Sequence, residues 1–186
     1  MRYPDTHKAE VRHRIVDAAS RALRTSGIAS VSIPGLMNQA GMTHGGFYNH
    51  FEDRDALVAA ALERAADESV IADESRSLDA VLATYLSEGH VNHPEMGCVI
   101  AALGTEASRG EGRTRATFAR VARRFIERVA VKRDGPPKTK RSAPSDAALV
   151  IAAQMVGAIV LARSMDDPAL AARIVGAARR AARRVD

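Results

Sequence analysis

The sequence predicts an all-α protein of about nine helices. Hydrophobic residues make up 46% of the 186-residue chain. Alanine is abundant among them, and β-branched runs long enough for a strand are scarce. Apolar residues recur at helical spacing in segments that end at glycine, proline or clusters of polar residues. Length and composition therefore favour a small N-terminal helical module that is followed by a larger helical bundle.

Two helices are predicted in the first forty or so positions. The first spans about residues 8–26, carries one apolar face and is ended by Gly27. Ser32 is placed to cap the second helix, whose first turn tolerates Pro34. Gly41 is predicted to end this helix, because glycine readily adopts the positive φ that reverses the chain.

The third predicted helix is very short and completes a helix-turn-helix. Thr43 is placed to cap it, and the adjacent Gly45 and Gly46 each cost it about 1 kcal/mol relative to alanine. On an exposed face, however, glycine lets the backbone approach a base edge or a phosphate. Phe47 and Phe51 are four positions apart, so we expect both to pin this helix to the body of the module.

The boundaries of the remaining helices are predicted from capping residues and from the segments that interrupt the helical pattern. Asp53 is placed to cap a fourth helix that reaches about residue 72 and is shared by the N-terminal module and the bundle. Residues 134–145 contain three prolines and predict a long basic loop. The other predicted helices span residues 78–89, 95–108, 112–133, 147–165 and 168 to the C-terminus.

The segment from Gly41 to Leu57 resembles the TetR/AcrR family of transcriptional regulators. Members carry a Thr, a Gly, a Tyr and a His-Phe pair at this spacing, followed by an acidic or small cap, a basic residue and a Leu. The matching residues here are Thr43, Gly45, Tyr48, His50, Phe51, Asp53, Arg54 and Leu57. Ile15, Ala18, Ala19, Gly27, Val31, Ser32, Ile33, Ala40 and Gly41 also fall where the family has them. The resemblance covers about residues 8 to 66.

This resemblance implies a DNA-binding domain over residues 8–68, with the helix-turn-helix at about 32–51, and a ligand-binding and dimerisation domain over 69–186. A symmetric dimer would place two recognition helices in major grooves about 34 to 36 Å apart, so the expected partner is an inverted-repeat operator in double-stranded DNA. Repression is the default in the family. We expect His44, Gly45 and Asn49 near base edges, and Ser32, Thr43, Tyr48, His50 and Arg54 on phosphates.

The charge distribution leaves alternatives open. The net charge of +5 suits a polyanionic partner. Residues 1–51 contain six Lys and Arg against three acidic residues, whereas residues 109–141 contain twelve against three. The second excess is either a solvated helix face with a basic loop or a surface for nonspecific DNA or an acidic partner. A nonspecific architectural DNA-binding protein without an effector is therefore the alternative function, and the short third helix could also be an ordinary corner between two helices.

The predicted helix over residues 147–165 is hydrophobic nearly all round, so more than one side of it must be covered. A second subunit can supply that cover, and the small residues Ala153 and Gly157 would allow close approach in a four-helix bundle. A central helix in a monomeric core is the alternative. The expected homodimer contacts are Ile151, Met155, Ile159, Ala172 and Val175.

The resemblance also implies regulation by a small molecule that binds within the C-terminal domain and shifts the shared fourth helix. The expected lining is mostly apolar, which indicates a lipophilic effector. Packing of a core alone would also explain these residues. The expected lining residues are Tyr85, Met96, Phe118, Phe125 and Met155.

Other classes of protein are disfavoured by the sequence. The single cysteine, Cys98, excludes an intrachain disulfide and lies in an apolar run typical of a buried thiol. His90 and His93 do not have a zinc spacing with it, so no metal or cofactor is expected. The chain shows no phosphate-binding loop or nucleophile elbow, so no enzyme is predicted. No run reaches about eighteen apolar residues, which predicts a cytoplasmic protein without a membrane span.

Overall fold

The structure is a computed structural model that describes residues 5–29, 31–39, 41–137, 139 and 143–185. Within these residues it contains nine α-helices, three short 3₁₀ helices and no strand, which confirms the all-α prediction. The α-helices are α1 (Asp5–Ser26), α2 (Ile33–Gln39), α3 (Arg54–Asp67), α4 (Leu78–Tyr85), α5 (Glu88–Asn92), α6 (Val99–Ser108), α7 (Gly112–Asp134), α8 (Asp146–Arg163) and α9 (Pro168–Ala182). The 3₁₀ helices are His44–Asn49, Val70–Ala72 and Pro94–Met96.

Local signals in the sequence set most helix ends. Gly27 and Gly41 have φ values of 84° and 70°, as chain reversal requires. The side chains of Ser32, Asp53 and Ser145 each accept a hydrogen bond from a backbone N–H in the first turn of the following helix, at 3.2, 2.6 and 3.1 Å. Each such cap contributes about 1 kcal/mol to its helix, and those at Ser32 and Asp53 were predicted from the sequence.

Three predicted helix boundaries are wrong, and all three lie between the two parts of the molecule. The helix predicted to reach residue 72 ends at Asp67, and a 3₁₀ turn replaces its last residues. The helix predicted over residues 78–89 divides because Ser87 caps a new helix, its Oγ accepting from the His90 N–H at 3.3 Å. The helix predicted from residue 95 starts at Val99, because the backbone at Cys98 is extended.

The helices enclose two hydrophobic cores. The first lies among α1, α2, the His44–Asn49 segment and α3, and it also takes in Val99 and Leu103 of α6 and Val121 of α7. The second lies among α4, α7, α8 and α9. Because α3 packs against both α1 and α7, it contacts both parts of the chain, as the sequence predicted for the shared helix.

Salt bridges between α3 and α7 account for much of the basic excess in residues 109–141. Arg120 and Arg124 reach Glu63 at 2.9 and 2.8 Å, and Arg124 also lies 3.3 Å from Asp67. Arg113 contacts the carboxylates just before α3, those of Glu52 and Asp53, each at 3.3 Å. These contacts favour a helix face neutralised within the chain over a second DNA-binding surface. Lys138, Lys140 and Arg141 lie outside the described residues.

The prediction of dimer contacts on α8 and α9 requires correction. Ile151, Met155, Ile159 and Val175 are at most 3% exposed and lie in the second core of their own chain, while Ala172 is half-buried. A helix that is hydrophobic all round has no periodicity from which its inner face can be identified. The exposed face of α8 instead presents Leu149, Val150, Ala153, Gly157, Val160 and Leu161.

By length and composition alone, α8 is apolar enough to cross a membrane. Its buried face packs against α7 and α9, as a core helix of a soluble protein does. It is therefore weak support for a membrane span.

Candidate nucleic-acid interface and small-molecule cavity

The recognition segment, residues 43–50, is held by two aromatic rings. Phe47 is fully buried and Phe51 is 5% exposed, with ring centroids 5.6 Å apart in a stacked arrangement. This confirms the prediction that both rings anchor the segment. The helix is 3₁₀ rather than α, and Thr43 stands at its N-cap without a side-chain capping bond, so the predicted Thr43 hydroxyl cap is wrong. The Thr43 carbonyl instead accepts from the Gly46 N–H at 3.0 Å.

The outer face of the recognition segment is open to solvent. Tyr48 is 62% exposed, and its ring stands edge-on to Phe47 with centroids 5.2 Å apart. Asn49 is also exposed, and a Cβ added at Gly45 would meet nothing within 4 Å. The backbone of His44 begins the segment, but its side chain lies outside the described part of the chain. A surface formed by glycine and polar side chains can approach a DNA groove closely.

Two basic residues missed by sequence reasoning flank the recognition segment. Burial, followed by the charges of Lys8 and Arg12, lowers the pKa of His50. The Arg12 guanidinium lies 4.9 Å from the Phe51 ring centroid. The first helix therefore brings two cations beside His50, whose buried Nδ1 has no hydrogen-bond partner among the described residues. The only signal in the sequence was the modest basic excess before Phe51.

The loop between α1 and α2 is fixed from both sides. The Glu106 carboxylate of α6 accepts from the backbone N–H groups of Ile28 and Ala29, each at 2.8 Å. Arg54 donates to the carbonyls of Val31, at 3.1 Å, and of Ile28. Arg54, expected on a DNA phosphate, is thus engaged within the chain as a support for this loop. Nothing in the sequence around Glu106 indicated its role.

A cavity of about 360 Å³ opens in the C-terminal part of the molecule. It includes Tyr85 and Met96 of the predicted lining. Phe118 instead packs against the first core, Met155 is fully buried in the second, and Phe125 borders a separate space of about 10 Å³. The complete lining of the cavity is Ser69, Val70, Thr84, Tyr85, Ser87, Gly89, His90, His93, Met96, Gly97 and Cys98.

His90 organises the wall of this cavity. Its Nδ1 lies 2.7 Å from the Tyr85 carbonyl, and its Nε2 accepts from the Cys98 N–H at 2.8 Å. A carbonyl requires a donor at Nδ1 and an N–H requires an acceptor at Nε2, so the ring must be neutral with its proton on Nδ1. Burial lowers the pKa of His90 to about 4, which agrees with this tautomer. Arg163 of α8 donates to the carbonyls of His90 and Val91 at 2.7 and 3.3 Å.

Among the described residues, the lining of the cavity includes no Asp, Glu, Lys or Arg side chain. Its polar lining consists of hydroxyls, backbone and imidazoles, together with the buried phenol of Tyr85. Burial, followed by Cys98, raises the pKa of that phenol well above its usual range, so it remains neutral. Within the described residues, no three His, Cys, Asp or Glu side chains are grouped to hold a metal.

A buried arginine connects this wall to the first helix. Arg24 of α1 is 3% exposed and donates from Nη1 to the Gly97 carbonyl at 3.2 Å and from Nη2 to Glu68 at 2.7 Å. Its Nε also donates to the Ser20 carbonyl at 3.1 Å. Sequence reasoning placed Arg24 only near the end of a helix, because its partners are 44 and 73 positions away.

An outward-facing helix-turn-helix that packs, largely through α3, on a cavity-containing bundle is the arrangement expected of a DNA-binding transcriptional regulator. Residues 15–61 match the family model of the bacterial regulatory proteins, tetR family. This match covers the N-terminal helices, and it confirms the resemblance that was drawn from the sequence. Proteins of this family are generally not enzymes.

Solved structures of similar fold extend over nearly the whole chain. A TetR transcriptional regulator from Chloroflexus aurantiacus is 23% identical with a TM-score of 0.72, and the match covers 96% of this chain and 97% of that one. A TetR-family regulator from Cytophaga hutchinsonii is 16% identical with a TM-score of 0.72, covering 97% and 96%. A regulator from Saccharomonospora viridis in complex with choline is 15% identical with a TM-score of 0.66, covering 95% and 97%. No curated protein gives a significant match.

Proposed function

We propose that this chain is a dimeric transcriptional repressor, which binds an inverted-repeat operator and is released from it by a small molecule. Residues 8–68 would bind DNA, and residues 69–186 would bind the effector and the second subunit. The observation that carries the proposal is the recognition segment. Its aromatic anchors are buried, whereas Gly45, Tyr48 and Asn49 face solvent on a fold shared with TetR-family regulators.

Within the operator complex, His44, Gly45 and Asn49 would lie near base edges in the major groove. Ser32, Thr43, Tyr48 and His50 would hold phosphates and fix the register, and we add Lys8 and Arg12 to this group because they flank His50. Arg54 is removed from it, since its guanidinium already donates to two loop carbonyls.

A second copy of the chain would cover the exposed face of α8. This face carries four large apolar side chains that are 41 to 52% exposed, and small residues between them permit close packing of helices. Val160→Asp is therefore expected to halve the solution mass measured by light scattering while the circular dichroism of the helices persists. Arg123→Asp, an exposed change on α7, serves as the control and should leave the mass at the dimer value. A dimeric Val160→Asp protein would exclude this face.

The effector would be a neutral and largely apolar molecule that acts in the cytoplasm. A charged ligand would lose its hydration in a cavity whose described lining includes no Asp, Glu, Lys or Arg, and that loss is costly. The choline-bound regulator from Saccharomonospora viridis supports a small-molecule site in this fold, but choline itself is a cation. We therefore expect choline to leave the thermal midpoint of this protein unchanged.

The decisive experiment is selection of bound sequences from a random DNA pool at about 0.15 M salt. An enriched inverted repeat with half-sites about one helical turn apart would support a site-specific dimeric regulator. Binding without enrichment, with a steep dependence on salt, would instead support the architectural alternative. Tyr48→Ala serves as the control protein and should lose the enriched class.

A further inference from the structure

Two consecutive residues of the cavity wall face opposite parts of the molecule. The Cys98 N–H donates inward to His90, at 2.8 Å, whereas the Gly97 carbonyl accepts from Arg24 of the DNA-binding domain, at 3.2 Å. Both residues line the cavity, as does the neighbouring Met96, which is 58% exposed. A molecule that enters the cavity therefore contacts a segment that is directly bonded to α1.

Arg24 is bonded to its own helix, so it cannot follow a movement of this segment unless the end of α1 moves with it. Its side chain is inaccessible to solvent, and it donates to the Ser20 carbonyl and hydroxyl at 3.1 and 3.0 Å. Its ion pair with Glu68 is extended by Arg64, which lies 3.1 Å from Glu68 and 2.6 Å from Asp17. Because a buried charge must keep its partners, a shift of the Gly97 carbonyl would either break its bond to Arg24 or displace the end of α1.

The cavity side of Gly97 is equally confined. A Cβ at this position would stand 2.6 Å from Arg163 Nη2 and 2.7 Å from the His90 ring. At Gly89, which lines the same cavity, an added Cβ would meet only Ser87 Oγ at an ordinary 3.7 Å. The two glycines therefore form a matched pair, since a methyl group at Gly97 displaces the wall and one at Gly89 does not.

We infer that Gly97 and Cys98 are the link through which occupancy of the cavity alters operator binding, with Arg24 as the positioning residue that carries the change to α1. The last turn of α1 leads directly into Gly27 and the loop before α2, which Glu106 and Arg54 hold at its backbone. A displaced Arg24 would thus change the angle at which the helix-turn-helix is presented. The inference rests on the proposed function for its operator readout.

The test compares Gly97→Ala with Gly89→Ala in the dimeric protein, without any ligand. Gly97→Ala is expected to weaken operator binding about tenfold, equivalent to about 1.4 kcal/mol, because it displaces the wall as a ligand would. Gly89→Ala should stay within about twofold of the wild type. Equal affinities for the two variants would overturn the link.

A double-mutant cycle tests whether the effect of Gly97→Ala on operator affinity passes through Arg24 or reflects a general disturbance of the packing. Arg24→Lys keeps a positive charge for Glu68 but loses the planar fork that reaches Gly97 and Ser20 together. In the Arg24→Lys background, Gly97→Ala should change operator affinity by less than about twofold. An undiminished tenfold effect would show that Arg24 is not the route.

Hydrogen exchange in the DNA-free protein distinguishes failure of this link from failure of the proposed function. Gly97→Ala should accelerate exchange of the amides at residues 23–27, and Gly89→Ala should not. That result would stand even if the wild type selected no operator, which would refute the proposed function alone. Unchanged exchange would refute the link alone. If Gly97→Ala does not fold, His90→Asn replaces it, because it removes the acceptor of the Cys98 N–H.

Discussion

The recognition segment and the hinge cluster use polar groups in opposite ways. We define the hinge cluster as Ser20, Arg24, Glu68, His90, Gly97 and Cys98. In the recognition segment, apolar rings are buried and polar side chains such as Tyr48 and Asn49 face solvent. In the hinge cluster, charged and polar groups are buried or half-buried and bonded to one another. Changes in the first region should therefore affect binding with little cost in stability, whereas changes in the second should affect stability first.

The largest expected effect is on the buried charge of the hinge cluster. Arg24→Met should lower the free energy of unfolding by about 3 kcal/mol, because Glu68 would lose its most buried partner. Urea denaturation at fixed protein concentration measures this change. Arg120→Met, at a salt bridge where Arg120 is 62% exposed, is the control and should cost less than about 1 kcal/mol. A loss below 1 kcal/mol for Arg24→Met would erase the contrast between the regions.

Acid should weaken the hinge cluster next. Burial lowers the pKa of His90 from 6.5 to about 4, so the unfolded chain binds a proton that the folded chain excludes. Stability from this group is complete above pH 6.5 and is lost as the pH falls toward 4. We expect a decrease of roughly 2 kcal/mol between about pH 6.5 and pH 4.5, measured by denaturant titration. His90→Gln should flatten this part of the profile, and an unaltered slope would contradict the assignment.

Substitutions in the recognition segment should change operator affinity more than the free energy of unfolding. Tyr48→Ala is expected to weaken operator binding about tenfold, or about 1.4 kcal/mol, because it removes an exposed phenol from the surface proposed to face DNA. Unfolding free energy should change by no more than about 0.5 kcal/mol. Fluorescence anisotropy with the selected operator and urea denaturation measure the two quantities. Tyr48→Phe keeps the ring beside Phe47 and isolates the hydroxyl.

The smallest effect is expected at the bridge between the two parts. Arg113 is half-exposed and lies 3.3 Å from both Glu52 and Asp53, in a geometry that solvent screens. Arg113→Ala should change the free energy of unfolding by less than about 0.5 kcal/mol. A larger loss that persists at about 1 M salt would show that this bridge behaves energetically like the buried hinge cluster.

The sequence predicted what neighbouring residues determine. Ser32 and Asp53 cap their helices, and Gly27 and Gly41 reverse the chain, because each acts within one helical turn. The helix-turn-helix followed from such signals, together with the family resemblance. The sequence could not reveal the roles of Arg24 and Glu106. Their hydrogen-bond partners lie more than forty positions away and are determined by how the helices pack across one another.

The cavity was only partly predictable for the same reason. Tyr85 and Met96 line the cavity, whereas Phe125 and Met155, which are also apolar, fill space elsewhere. Helix boundaries failed around Ser87 and Cys98, where extended residues interrupt a pattern that is otherwise helical. Sequence patterns therefore locate the helices well and the irregular wall between them poorly.

The 3₁₀ form of the recognition segment limits how much DNA it can read. Its six helical residues rise about 2.0 Å each, so they extend about 12 Å along their axis. Base pairs in B-DNA are about 3.4 Å apart, so this length corresponds to three or four of them. Each half-site should accordingly be strict over three or four consecutive base pairs and tolerant beyond them. Discrimination among genomic sites would then depend more on the spacing between the two half-sites than on the length of either half-site.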